Sequence, residues 1–202
     1  GSVPIFRISP IERWRQIRSS RRIAHGERSA DSAGASHHVI DAAAGVTVYR
    51  GGAYPESFRG QVFVADAQNN LIHRRTLIPN GLTFRSDRAD AGSPTEFVRS
   101  SDTWFRPVNF LNAPDGALFV LDMSREVLES IHIPDDVVPF LDLRRGRDQG
   151  RIYRIAPEGA PATAFPRLGD LATAVPDARR CGADPGRLRA AHRQHRWRRP
   201  GL

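Results

Sequence analysis

The chain has one cysteine and no lysine. The single thiol, Cys181, closes no disulfide within the chain, and neither Cys-x-x-Cys nor Cys-x-x-Cys-His occurs, which excludes a covalently attached haem on this polypeptide. All 30 basic residues are arginine. Lysine binds phosphate well, so selection for phosphate contacts would not remove every lysine; the bias reads as GC-rich coding. No apolar run is long enough to read as a membrane-spanning helix, and no charged-then-apolar leader opens the chain. A glycine-rich phosphate loop, a serine nucleophile elbow and His-Glu-x-x-His are all missing. The apolar fraction is 40%, below the roughly 45–50% of ordinary globular domains.

Turn formers are plentiful instead, with 17 glycines and 15 prolines in 202 residues. That length suffices for one domain with a real core, or one domain with tails. The net charge is +8, but eight arginines against two aspartates lie between Asp177 and Leu202. The body is nearly neutral, which disfavours nucleic acid as a partner of the folded part.

The texture divides the chain into 1–45, 46–165 and 166–202. In the first part Val3, Ile5 and Ile8 alternate like a short strand. Ile11, Trp14 and Ile17 then fall at helical spacing, and Ser9 with Glu12 fits a capping box. The arginine-rich face of that helix is expected to be solvated. "HGERSADSAGASHHVIDAAAG" reads as a linker, and His37-His38 lacks a third metal ligand at a recognisable spacing. From Val46 short apolar runs alternate with Gly, Pro and Asn turns, the pattern of antiparallel strands. Strands are expected near Val62–Ala65, Leu71–Leu77, Leu82–Arg85, Val108–Leu111 and Ala117–Leu121, with turns at Asn69-Asn70, Pro79-Asn80-Gly81 and Pro114-Asp115-Gly116. "SREVLESIHIP" is expected to form a helical turn. The arginine-rich 166–202 tail is expected to be disordered, or to be a GC-rich gene read out of frame.

"GQVFVAD", "GALFVLD" and "GRIYRIA", starting at Gly60, Gly116 and Gly150, form an internal repeat. Their spacing brackets the roughly 40–50 residues of one propeller blade. The expected fold is all-β, a partial β-propeller of two to three blades with short helical insertions.

"AAGVTVYRGGAYPESFRGQVFVADAQNNLIHR", "SSDTWFRPVNFLNAPDGALFVLDMSRE" and "GRDQGRIYRIAPEG" resemble the membrane-bound dehydrogenase family of planctomycete type. These are β-propeller proteins related to the quinoprotein glucose/sorbosone dehydrogenases. The resemblance covers roughly Ile5 to Gly159 and implies the last part of a propeller. It also implies oxidation of a sugar or alcohol, a periplasmic or cell-envelope location, and electron transfer to a cytochrome c domain that this chain lacks. A quinone cofactor or Ca²⁺ is compatible with it. The alternative is a non-catalytic propeller module binding a glycan or a protein.

Binding groups in propellers sit at strand ends, so the polar residues that end the apolar strands are the candidates. His73 is the general-base candidate by residue type, although Arg74 and Arg75 beside it would disfavour its protonated form. Arg106 offers a forked, permanent charge for a carboxylate or for a quinone's acid groups, or else a structural pair with Asp102 or Asp122. Arg125 is a second cofactor-binding candidate. Asn109 could orient a substrate hydroxyl or satisfy turn backbone. Asp66 and Asp122, at equivalent repeat positions, could hold Ca²⁺ or cap turns. Arg147 and Asp148 are expected to pair with Arg151 or Arg154.

Overall fold

A computed structural model describes residues 4–26, 39–40, 42–128 and 133–160. His37-His38, Ile131, Cys181 and the 166–202 tail lie outside the described residues. The elements in chain order are α1 (Arg13–Ala24), β1 (Ala43–Val48), β2 (Val62–Asp66), β3 (Leu71–Asn80), β4 (Thr83–Arg88), β5 (Val98–Arg99), β6 (Pro107–Asn112), β7 (Leu118–Asp122) and β8 (Arg151–Ile155). Apart from α1 and two short 3-10 turns the described chain is all-β.

The strands form two antiparallel sheets. The first runs β1-β2-β3-β4, with β5 also pairing the start of β3; the second runs β6-β7-β8. The hairpins follow from local sequence. Asp66 pairs with Leu71 across the Ala67-Gln68-Asn69-Asn70 turn, where Asn70 takes a positive φ of 56°, a region that asparagine tolerates. In the β6–β7 hairpin Asp115 Oδ1 accepts the Ala117 N–H at 3.0 Å, and Gly116 supplies the positive φ. The β3–β4 turn is shifted from its expected place. Pro79 and Asn80 stay in the strand, Asn80 pairs with Thr83, and Gly81-Leu82 makes a two-residue loop.

The repeat is only partly a structural one. Gly60 and Gly116 lead into β2 and β7, second strands of their respective sheets. Gly150 leads into β8, which hydrogen-bonds to β7. The third segment therefore widens the second sheet and does not open a third. Residues 124–128, expected to start a helical turn, are non-helical.

The core lies between the sheets. Tyr49, Phe63, Ala65, Ile72, Phe105, Phe110, Leu118 and Val120 are buried in one cluster, and each large side chain among them contributes roughly 1.5–3 kcal/mol. Strand β2 is buried nearly throughout. Strand β7 alternates instead, Leu118, Val120 and Asp122 turning inward and Leu121 outward, as expected for a strand with one covered face.

Two contacts fix how the sheets meet. At one end Tyr49 is fully buried; its hydroxyl donates to Gly116 O and accepts from the N–H groups of Ala53 and Tyr54, both at 3.1 Å. At the other end β1 lies against β6. A Cβ on Gly45 would fall 2.6 Å from Val108 O and Asn109 Cα, so only glycine permits that approach. Both strands are irregular there, β1 between Ala43 and Val46 and β6 between Pro107 and Asn109.

Helix α1 starts one residue after Glu12, which is its N-cap and makes no side-chain cap bond. The expected Ser9 capping box is not formed: Ser9 Oγ donates to Asn70 Oδ1 at 2.6 Å instead. The arginine face is not uniformly solvated either. Arg15 is buried and its guanidinium lies 4.5 Å over the Trp14 ring. Trp14 joins Val127, Ile133 and Val137 in a second apolar cluster, which holds α1 against the segment between β7 and β8.

Candidate functional site

Antiparallel pairing brings the start of β1, the end of β2, the start of β6 and the end of β7 to one edge of the two sheets. Polar side chains concentrate there. Arg106, just before β6, has no exposed surface. All three of its side-chain nitrogens donate: Nε to Arg125 O at 3.0 Å, Nη1 to Ala67 O at 3.0 Å, and Nη2 to Glu126 O at 2.7 Å. Nη2 also pairs with Glu12 Oε1. The carboxylate partner is thus Glu12, not Asp102 or Asp122; Asp122 receives only the Arg106 backbone N–H, at 2.7 Å. A guanidinium so enclosed joins α1, β2 and the end of β7 and leaves little for a ligand.

Glu12 is the carboxylate that the arginines of this cluster share. Besides Arg106 it faces Arg15 Nε at 3.0 Å and Arg7 Nη2 at 3.7 Å. Three guanidinium groups share this carboxylate, and Asp66 adds a second attraction on Arg7. Burial lowers Arg7, with Glu12 opposing it and Arg106 reinforcing it. Burial likewise lowers Arg15, to about 10, against the pull of Glu12; Arg15 remains charged at neutral pH.

Beside this cluster a cleft of about 510 Å³ opens between α1 and the strand ends. Trp14, Arg15 and Arg18 form one wall. Ala43, Ala44, Ala67, Val108 and Met123 supply an apolar floor, with Gln68 at the rim. The cleft sits where β1 and β6 are both irregular, the kind of strand distortion that re-aims side chains next to functional sites. The sequence reading missed Glu12, Trp14, Arg15 and Arg18. Their signal was the run "ERWRQIR", in which the arginines on either side of a core-facing tryptophan cannot all point to water.

The other predicted residues are not gathered in this cleft. His73 is fully buried in β3, with Nδ1 2.7 Å from Glu96 Oε2. Arg75 Nη1 and Arg88 Nη1 each lie 3.4 Å from one of its ring nitrogens. Arg74, its chain neighbour, points elsewhere, 4.1 Å over the Phe58 ring and paired with Asp90. Asn109 is exposed in β6, its Oδ1 accepting the adjacent Phe110 N–H at 2.9 Å. Arg125 is half-buried and contributes its carbonyl to Arg106. Asp66 and Asp122 do equivalent work at equivalent places. Asp66 Oδ1 accepts the N–H groups of Gln68 and Asn69 at 3.2 and 3.1 Å, and Asp122 Oδ1 accepts that of Ser124 at 2.8 Å. Arg151 pairs with Asp102 and Asp122, and Arg154 with Asp115, in place of the expected partners Arg147 and Asp148.

These residues do not fit the groups that the family resemblance allows. Oδ1 of each aspartate is occupied by backbone amides, Asp122 Oδ2 faces Arg151 Nε at 3.6 Å, and no group of three His, Cys, Asp or Glu able to hold a metal ion occurs among the described residues. Arg106 is shut off from any quinone. No helix among the described residues is long and apolar enough to cross a membrane.

No curated protein and no solved structure matches the chain. A family model described as "Domain of unknown function (DUF7133)" matches residues 4–159, a span that takes in α1, both sheets and the cleft between them. The chain therefore belongs to the DUF7133 family.

Proposed function

We propose that this chain is a β-propeller segment that serves as a non-catalytic binding module of a dehydrogenase-like protein. The blade reading is supported by two antiparallel meanders whose first strands, β1 and β6, lie against each other. The observation that carries the binding reading is the contrast at and around the shared strand ends. His73, the acid–base candidate, is sealed at 0% exposure behind Glu96, whereas the cleft beside α1 is open and lined by groups suited to binding. Oxidation of a sugar or alcohol, and transfer of electrons to a cytochrome c domain in the cell envelope, then fall to parts of the protein other than the described residues.

Dye-linked oxidation assays test this. The full chain is incubated with a panel of sugars and alcohols, a quinone cofactor and Ca²⁺. The expected result is no dye reduction above the protein-free blank. Turnover that disappears in a folded His73→Gln variant would overturn the reading.

A further inference from the structure

We infer that the cleft beside α1 is a receptor for a small carboxylate-bearing molecule with an apolar body, and that Arg15 is its anion-binding group. The inference rests on the binding-module reading and names the ligand class of that cleft. Arg15 is 93% buried by its 7% exposure, yet only its Nε faces a carboxylate, Glu12 Oε2 at 3.0 Å. Its terminal nitrogens make no hydrogen bond or ion pair among the described residues. A buried guanidinium normally uses its fork of donors in full, since an unmet buried donor costs about 1–3 kcal/mol. Trp14, which lines the same cleft, is 5% exposed and its indole Nε1–H also lacks an acceptor. Two neighbouring buried side chains of the cleft wall thus carry donors without a hydrogen-bond acceptor, Trp14 Nε1 and Arg15 Nε, whose 3.0 Å approach to Glu12 is an ion pair without hydrogen-bond geometry, and Arg15 carries a charge that Glu12 already shares with Arg7 and Arg106.

The ring of Trp14 and the contact of Nε with Glu12 hold the Arg15 guanidinium in place, so little side-chain freedom is lost when an anion binds. The opposite surface, Ala43, Ala44, Ala67, Val108 and Met123, offers no charge. It favours a hydrocarbon body over a free inorganic anion. The cleft volume lies within the roughly 300–1,000 Å³ of small-molecule sites.

The test uses the full chain and three probes: hexanoate, hexanol and inorganic phosphate. Binding is followed by calorimetry and by the NMR signal of the Trp14 indole N–H. Hexanoate should bind saturably and shift that signal. Hexanol and phosphate should each bind at least about tenfold more weakly, the loss expected from removing one charge-assisted contact or the apolar body. Arg15→Gln should weaken hexanoate by about tenfold or more. Ala44→Phe, which fills the floor and leaves every charge in place, should abolish binding even if Arg15→Gln fails to fold. Equal binding of hexanol or phosphate, hexanoate binding unchanged by Ala44→Phe, or no hexanoate binding would each overturn the inference. Dye-linked turnover with hexanoate binding intact would sink the non-catalytic reading alone. Loss of hexanoate binding without turnover would sink this inference alone.

Discussion

Replacing Glu96 by glutamine tests the buried charge cluster of the first sheet. The Glu96 side chain is 1% exposed. One oxygen lies 2.7 Å from His73 Nδ1. The other accepts from Arg88 Nη1 at 2.9 Å and from the Phe6 N–H at 3.1 Å. Glutamine keeps the shape, and its carbonyl can serve Arg88 and Phe6. The Arg88 guanidinium nevertheless loses its counter-ion, and an NH₂ group now faces the imidazole. Removing one partner of a buried ion pair costs about 3–5 kcal/mol; the conserved shape puts this variant at the lower end, about 3 kcal/mol. For a chain of this size that is a fall in Tm of roughly 6–12 °C, read by calorimetry near pH 7. Hydrogen exchange should show the Phe6 amide losing protection at the same time. The pH dependence follows from the Glu96 carboxyl. Burial alone would raise it, but hydrogen bonds to His73 and Arg88 outweigh burial and hold it below its ordinary value. A carboxyl depressed in the fold contributes stability above its unfolded value of about 4.3, and that contribution is lost as pH falls through the folded value. The gap between wild type and Glu96→Gln should therefore be full near neutrality and close in acid. A loss under about 1 kcal/mol, or a gap that stays constant into acid, would refute the reasoning.

Other expectations rest on single contacts. Gly45→Ala should destabilise by about 1–3 kcal/mol or more, because its Cβ meets backbone that cannot swing aside; urea unfolding measures it, and a neutral result would mean that β1 and β6 do not approach as described. Tyr49→Phe should cost about 1–3 kcal/mol by removing the buried hydroxyl that donates to Gly116 O and accepts the Tyr54 N–H, although Ala53 N–H still reaches Gly116 O at 3.2 Å, checked in the same assay. Arg106→Met should destabilise strongly, since it releases Glu12 and three carbonyls that its nitrogens satisfy, whereas Phe140→Ser, at an 87% exposed position, should change Tm little.

Much of the strand layout was legible because turn chemistry is local. Pro-Asp-Gly and Asn-Asn impose their backbone angles wherever they stand, so β2, β6 and β7 fall within a residue or two of their expected places. The equivalence of Asp66 and Asp122 was legible for the same reason, each carboxylate binding amides two or three residues further on. The Pro79-Asn80-Gly81 turn was misplaced because a β3 partner held Pro79 and Asn80 in the strand. The Gly150 segment looked like a third repeat because a second strand and a third strand of one sheet share the same texture.

The candidate cleft was not legible. Glu12 resembled a capping residue, and Arg15 and Arg18 resembled a solvated helix face, since a helix in isolation puts both in water. Their burial depends on α1 lying across strand ends 25 or more residues away in sequence. The amino-acid sequence by itself determined the β texture and the turns, because these obey rules of neighbouring residues. Only the tertiary structure decided that Arg106 is a closed structural bond, that His73 is sealed, and that Arg15 keeps donors to spare. Which donor meets which acceptor depends on distances between segments, and those are set by packing.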